Sequence, residues 1–125
     1  MKAKLVTSES MNALALEIIE FLQERKMFQD VNIYCNDKCF TSSYSSSGTA
    51  AKTKFGAYYI VDDVNVAEII KYNNPNTITM TFEGPLYQML NYGPPETEQD
   101  FLKLFNKHSL YYILDYAWSL TAYPM

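Results

Sequence analysis

The sequence has few of the residues that carry most metal and nucleophilic chemistry. Its 125 residues include one histidine, His108, and two cysteines, Cys35 and Cys39. A structural zinc site usually takes four cysteine or histidine ligands, and the spacing of these three residues matches no zinc or Cys-His catalytic signature. We therefore expect no metal, no cofactor and no catalytic residue.

Long apolar runs and blocks of like charge are also missing. No window approaches the roughly 20 uncharged apolar residues that cross a bilayer, and glutamates interrupt the apolar start of the chain. These features predict a cytoplasmic protein without a membrane span or a cleaved leader. The net charge is −4 and the lysines are not clustered. Because binding to a phosphate backbone requires a basic face, we do not expect nucleic acid as a partner.

Aromatic side chains are abundant instead. They make up 15% of the chain, with 11 tyrosines and 7 phenylalanines beside a single tryptophan. Tyrosine joins a large apolar ring to a polar tip, and it is enriched at protein interfaces. This composition favours a surface that contacts another protein.

Residues 8–27 carry the strongest helix pattern. The apolar residues recur at spacings of three and four, Ser8 or Ser10 could cap the first amides, and Glu9 suits the positive end of the helix. Glutamates cover the opposite side. The pattern predicts an amphipathic helix that packs on a sheet through Met11, Leu14, Ala15, Ile18, Phe21 and Leu22.

Residues 31–35 and 38–44 read as two strands around Asn36-Asp37, a pair that tolerates the left-handed backbone of a tight hairpin. A disulfide between Cys35 and Cys39 across this turn is conceivable, but two reduced thiols are the expectation in the cytoplasm. The following serine-rich stretch has no phosphate-loop spacing and predicts a solvated loop. Residues 55–61 resume strand character.

Residues 62–76 fit two interpretations. For a helix, Asn65 to Glu68 resembles a capping box, and residues 73–75 form a stop. For a strand between residues 64 and 72, most apolar positions alternate. We favour the short helix and leave the strand open. The positions that alternate are Val64, Val66, Ile70 and Tyr72.

Residues 77–82 form the clearest strand, because threonine alternates strictly with an apolar residue. Glu83-Gly84-Pro85 ends this strand, since proline cannot donate to a sheet and restricts the residue before it. The chain then continues as an apolar segment. That segment contains Leu86, Tyr87, Met89 and Leu90.

The last third of the chain predicts one more helix and one more strand. Gly93-Pro94-Pro95 is a second break, and Thr97 with Asp100 resembles a capping box that opens a helix to about Lys107. In residues 110–123, apolar and aromatic side chains occupy both the odd- and the even-numbered positions, which would place them on both faces of a strand. A strand of this kind is either covered on both faces or meets another chain.

This order of elements predicts an α+β fold in a single domain over residues 1–125. The sheet is expected to be mainly antiparallel, with about five strands. The N-terminal amphipathic helix and a second helix would pack on one face. We expect the strand at 77–82 to lie beside the strand at 110–122, linked by a crossover through the Thr97 helix.

Six candidate binding residues follow from this arrangement. Glu83 lies where a strand meets a glycine turn, a position that often faces a pocket. Asp115 is the one charge in the last strand, and near Glu83 it would form a like-charged pair able to act as acid and base. The other four are His108 at the end of a helix and the aromatic residues Tyr87, Tyr92 and Trp118.

The sequence favours a small non-enzymatic protein that acts through protein contacts and associates with itself. The exposed tyrosines of the last strand, or those of residues 87–92, would form the contact. One alternative is a small-molecule-binding domain or modest hydrolase with a pocket formed by Glu83, His108 and Tyr87. Another is an acidic inhibitor of a nucleic-acid-binding protein.

Overall fold

The computed structural model describes residues 6–70, 73, 74 and 76–125. Within these residues the chain forms an antiparallel sheet of seven strands in the order β3-β4-β2-β1-β5-β7-β6, with four helices. The strands are β1 (Val31–Cys35), β2 (Lys38–Thr41), β3 (Thr49–Thr53), β4 (Gly56–Val61), β5 (Thr79–Phe82), β6 (Leu110–Tyr116) and β7 (Ser119–Pro124). The helices are α1 (Ser8–Glu24), α2 (Val66–Ile69), α3 (Gly84–Tyr92) and α4 (Pro95–Asn106). The predicted α+β class is confirmed, and the prediction of about five strands was too low.

One face of the sheet carries the hydrophobic core, and α1 and α4 pack against it. Alternate residues of each strand point to this face, as the period of two requires. In β5 these are Met80 and Phe82, which are buried, while Thr79 and Thr81 point to the other face. The largest fully buried side chains of the core include Phe40, Phe82, Phe101, Phe105, Met11, Leu14, Ile18, Ile19, Leu22, Ile33, Ile78 and Met80.

Two strands were missed for different reasons. β3 is a polar edge strand that, among the described residues, pairs with β4 alone. Its sequence resembles the end of the serine-rich loop before it. The predicted strand at 110–123 is a hairpin of β6 and β7. A bulge between Leu114 and Tyr116 shifts the register of the hairpin. As a result, Leu114 and Leu120 lie opposite each other on the core face, and the even-numbered residues face the core in both strands.

The turn at 117–118 contains none of the usual turn residues. Asn91 of α3 supports it from outside, since its Nδ2 donates to the Ala117 carbonyl over 2.8 Å.

The helix boundaries differ slightly from prediction. Thr7, not Ser8 or Ser10, caps α1, because the Thr7 hydroxyl accepts the Ser10 N–H and the Ser10 hydroxyl accepts the Thr7 N–H, each over 3.0 Å. The helix ends before Met27, since Lys26 adopts a positive φ of 58°. α4 begins at Pro95, so Thr97 lies inside the helix rather than at its cap.

The segment at 62–76 contains the short helix that the capping pattern favours. The Asn65 side chain accepts the Ala67 N–H and opens α2. The strand interpretation is wrong over the described residues of this segment, while Tyr72 and Pro75 lie outside them. The apolar segment after Glu83 is a helix, α3, with Pro85 in its first turn, where a missing N–H costs nothing.

Candidate functional site

The sheet face opposite α1 and α4 is lined by short hydroxyl side chains and tyrosines. We call it the threonine-tyrosine face. Thr79, Ser119 and Thr121 are buried on this face, even though the long helices lie on the other one. Its members on the paired strands are Asn32, Tyr34, Cys39, Thr41, Tyr59, Thr79, Thr81, Tyr111, Ile113, Ser119, Thr121 and Tyr123.

At the β6 edge, this face exposes apolar side chains. Tyr111 is 39% exposed and Ile113 is 48% exposed. The Tyr111 ring contacts Tyr123 of β7, with centroids 5.9 Å apart. In the described chain, β6 pairs with β7 on one side and has no strand on its other side. The outer edge of β6 therefore combines unpaired backbone groups with an apolar surface.

The two edges of the sheet differ in protection against pairing. Natural edge strands carry lysine or proline, stay short or contain bulges. β3 has five residues and includes the exposed Lys52, with the exposed Lys54 directly after it. β6 has seven residues without lysine or proline. Its bulge and its one charge, Asp115, lie near its end, so residues 110–114 form an unprotected edge.

The β6–β7 turn gathers two predicted site residues. The Trp118 ring stacks on Tyr116 with a centroid distance of 5.0 Å and an interplanar angle of 7°. Trp118 is 44% exposed. Asp115 accepts a hydrogen bond from the Thr121 hydroxyl, which explains how a carboxylate is accommodated within a strand.

Glu83 lies beside a cavity of about 310 Å³ at the end of β5. The walls come from the loop before β1, from β1 and β5, from the segment after β2 and from the β6–β7 turn. Of the predicted site residues, Glu83 and Trp118 meet here. The lining residues are Asp30, Asn32, Ser43, Thr81, Phe82, Glu83 and Trp118.

Several residues of this cavity were not predicted. Thr81 was assigned to the correct face by alternation, but the sequence does not show that β5 lies beside β1. Asp30 adopts a positive φ of 58° directly before β1, and no residue pattern around it marks such a position as a site. The strand order brings these residues together, and strand order is not local information.

His108 lies on the helix side of the sheet, away from this cavity. It is buried, and its Nε2 lies 2.9 Å from Oε1 of Glu17 on α1. The Lys107 ammonium contacts the other oxygen of the same carboxylate over 3.2 Å. These contacts tie the end of α4 to α1. Glu83 and His108 therefore do not line one cavity.

Tyr87 and Tyr92 lie together on α3. Their ring centroids are 6.4 Å apart, and Tyr92 is 75% exposed while Tyr87 is half-buried. Neither residue lines the cavity at Glu83. They form a second aromatic surface, on α3, and Tyr92 is its exposed part.

Cys35 and Cys39 are both free thiols on opposite faces of the β1–β2 hairpin. Cys35 pairs with Lys38 and Cys39 pairs with Tyr34, so the register directs the two thiols to different sides and excludes the conceivable disulfide. Burial raises the pKa of Cys35 to about 12 and that of Cys39 to about 11. Burial, followed by the charge of Cys39, raises the pKa of Tyr34 to about 12.

Known proteins add no further assignment. No protein-family model matches the chain, and comparisons with curated proteins and with solved structures gave no match. In the part of the chain that the structure describes, no group of three or more histidine, cysteine, aspartate or glutamate side chains is placed to hold a metal ion. None of the helices in the described ranges is long and apolar enough to cross a membrane.

Proposed function

We propose that the protein is non-enzymatic and acts through protein contacts, and that its primary contact is with a second copy of itself through β6. The observation that carries this proposal is the unprotected outer edge of residues 110–114, flanked by the exposed side chains of Tyr111 and Ile113. Unpaired edge strands are templates for pairing with another chain. An antiparallel pair of identical strands also satisfies two-fold symmetry, the commonest symmetry of soluble oligomers.

The sequence of β6 specifies a register for this dimer. Pairing centred on Tyr112 uses residues 110–114 of both chains and avoids the bulge. In this register Tyr111 of one chain lies opposite Ile113 of its partner. Aromatic and β-branched residues are a favourable cross-strand pair, contributing roughly 0.2–1 kcal/mol each. Both such pairs lie on the threonine-tyrosine face.

The oligomeric state tests the proposal. Light scattering after size-exclusion chromatography at tens of micromolar should give twice the mass of one chain. Ile113→Lys should give a monomer with an unchanged circular dichroism spectrum, because it places a charge in the centre of the contact. Ala50→Lys introduces the same charge on the same face at the opposite edge, and this control should stay dimeric. A monomeric parent protein, or a dimeric Ile113→Lys variant, would overturn the proposal.

The register has its own test. In a background of Cys35→Ser and Cys39→Ser, the double variant Tyr111→Cys with Ile113→Cys should form a crosslinked dimer on mild oxidation. Directly opposed strand residues approach closely enough for a disulfide. With Tyr111→Cys alone, the new cysteine would lie opposite Ile113 of the second chain, and with Ile113→Cys alone it would lie opposite Tyr111. Each single variant should therefore crosslink poorly. Equal crosslinking by a single variant would show a different register.

The other hypotheses from the sequence receive less support. A hydrolase pocket shared by Glu83, His108 and Tyr87 would have to join the cavity at the end of β5 to His108, which is buried against Glu17 of α1 on the helix side of the sheet. An acidic inhibitor would need a continuous acidic surface. Here acidic side chains pair with basic ones at separate places, such as Asp62 with Lys38 and Asp100 with Lys103. We also propose a cytoplasmic location, in keeping with two free thiols in a small domain.

A further inference from the structure

The cavity at the end of β5 carries two carboxylates, and no basic side chain of the described residues lines it. Asp30 and Glu83 come from different segments, and both are exposed. Within the described ranges neither one forms an ion pair with a lysine or arginine, although other carboxylates of the chain do. The cavity therefore presents negative charge that is not neutralised by the described chain.

Backbone hydrogen bonds fix the segments that carry these groups. The Glu83 N–H donates to the Asp30 carbonyl over 2.9 Å, which joins the two acidic segments directly. The Phe82 N–H donates to the Trp118 carbonyl over 2.9 Å and holds the β6–β7 turn against β5. A cavity built on such bonds is formed before a ligand arrives, which lowers the entropy cost of binding.

A further pair of bonds joins the segment after β2 to the start of β1. The Val31 N–H donates to the Ser42 hydroxyl, and the Ser42 N–H donates to the Val31 carbonyl, each over 3.0 Å. These bonds position Ser43, the next residue, in the cavity wall. Each wall of the cavity is thus attached to a strand of the sheet.

Gly84 adopts a left-handed backbone next to the carboxylate of Asp30. It has a φ of +64°, which other residues rarely adopt, and a Cβ built on it would lie 3.5 Å from Oδ2 of Asp30. The sharp turn from β5 into α3 therefore brings Glu83 close to Asp30. The Gly84-Pro85 pair that ends β5 also shapes the acidic wall.

Polar side chains line the cavity beside the two carboxylates. Asn32 Nδ2 donates to the Thr81 hydroxyl over 3.2 Å. Ser119, opposite Thr81 in the next strand, does not line the cavity, and within the described residues its buried hydroxyl has no hydrogen-bond partner. Trp118, half exposed and already stacked on Tyr116, supplies a rigid aromatic surface at the rim.

We propose that this cavity binds a guanidinium group. A guanidinium is planar, stacks on an indole and forms paired hydrogen bonds with a carboxylate, whereas an ammonium is a compact and strongly hydrated charge. Asp30 and Glu83 supply the carboxylates, Trp118 supplies the stacking surface, and the hydroxyls of Ser43 and Thr81 accept remaining N–H groups. The group could come from an arginine side chain of a peptide or from a free alkylguanidine.

Trp118 is the one tryptophan of the chain, so its fluorescence reports on the cavity directly. The titrants are the peptide acetyl-Gly-Arg-Gly-amide, its neutral isostere with citrulline in place of arginine, and agmatine. The arginine peptide or agmatine should change the fluorescence saturably, and the citrulline peptide should not. Response to the peptide identifies a side chain as the ligand, and response to agmatine alone identifies a free small molecule.

Two isosteric variants test the carboxylates. Asp30→Asn and Glu83→Gln should each weaken binding by up to about fivefold, the range for exposed ion pairs, and the double variant should abolish saturation. Glu96→Gln changes the net charge equally outside the cavity and should bind like the parent. Equal responses to the arginine and citrulline peptides, or unchanged binding by the double variant, would overturn the proposal. Repeating the titration on Ile113→Lys separates binding from self-association.

Discussion

The two cysteines show how the environment of a residue depends on its face of the sheet. Cys35 enters the core beneath α1, where its thiol lies 3.9 Å from the Met11 carbonyl. Cys39 lies on the threonine-tyrosine face, 3.9 Å from the Asn32 side-chain oxygen. Burial raises the pKa of both thiols, so both remain protonated at neutral pH.

We expect these thiols to react slowly in the native protein. The pKa of Cys39 rises from 9.0 to about 11, which alone lowers the thiolate fraction about 100-fold, and burial slows attack further. Ellman's reagent near neutral pH should modify Cys39 at least about 100-fold more slowly than after unfolding in urea, and Cys35 more slowly still. The variants Cys35→Ser and Cys39→Ser assign the two rates. A native thiol that reacts as fast as the unfolded one would contradict the raised values.

For single residues, the sequence predicted the position within a strand or helix well, but it did not predict which residues lie nearby in space. The placement of Glu83 at the end of a strand followed from the proline and glycine after it. Its proximity to Asp30 and Trp118 depends on the order β1-β5-β7, which no local pattern encodes. The sequence allows Asp115 as a partner of Glu83, but in the structure the Asp115 carboxylate accepts a hydrogen bond from Thr121 of β7.

Among the elements, the β1–β2 hairpin followed most directly from local chemistry. Asn36 and Asp37 have φ values of 54° and 60°, as the central residues of a type I′ turn require. The Asp37 carbonyl also accepts the Val64 N–H over 2.8 Å, which anchors the segment after β4 to the turn. This contact uses only the backbone, so the side chain of Asp37 can be changed without losing it.

Replacing Asp37 tests the turn. Asp37→Gly should stabilise the protein by roughly 0.5–1 kcal/mol, because glycine adopts a positive φ without steric cost. Asp37→Ala should destabilise it, since alanine lacks the tolerance of aspartate for this conformation. Urea unfolding monitored by circular dichroism measures both. A lower unfolding midpoint for the glycine variant would contradict the assigned turn.

Elements without local signals were the ones that sequence reasoning missed. The β6–β7 turn has no glycine, asparagine or proline, and it depends on Asn91 of α3, distant in sequence. β3 is recognisable only through its ladder with β4, where Ala51 pairs with Tyr58. By contrast, α1 and β5 carry complete periodic patterns, and both were predicted close to their actual limits.

For the whole molecule, the groups with raised pKa values link stability to alkaline pH. Besides Cys35, Cys39 and Tyr34, burial followed by the charge of Glu98 raises the pKa of Tyr112. Each of these acids holds its proton more tightly in the folded chain than in the unfolded one. Their contribution to stability is therefore complete below the unfolded values of 9.0 and 10.0 and is lost as the pH rises through the folded values.

We expect the urea midpoint to fall steadily above pH 9, the ordinary value for a thiol. The loss should be on the order of 1 kcal/mol for each such group. Cys39→Ser should reduce the loss of stability that begins near pH 9. Tyr34→Phe should reduce the loss of stability that begins near pH 10. If both variants followed the parent curve over this range, these groups would not be the source of the alkaline loss.

The unequal edges of the sheet also limit the size of any assembly. In a dimer paired through β6, the outer edges formed by the described residues are the two β3 strands, and each of these carries the exposed Lys52. Further growth would need β3 of one dimer to pair with β3 of another, which brings like charges together. Association should therefore close at two chains, and the exposed tyrosines of β6 should not lead to fibres.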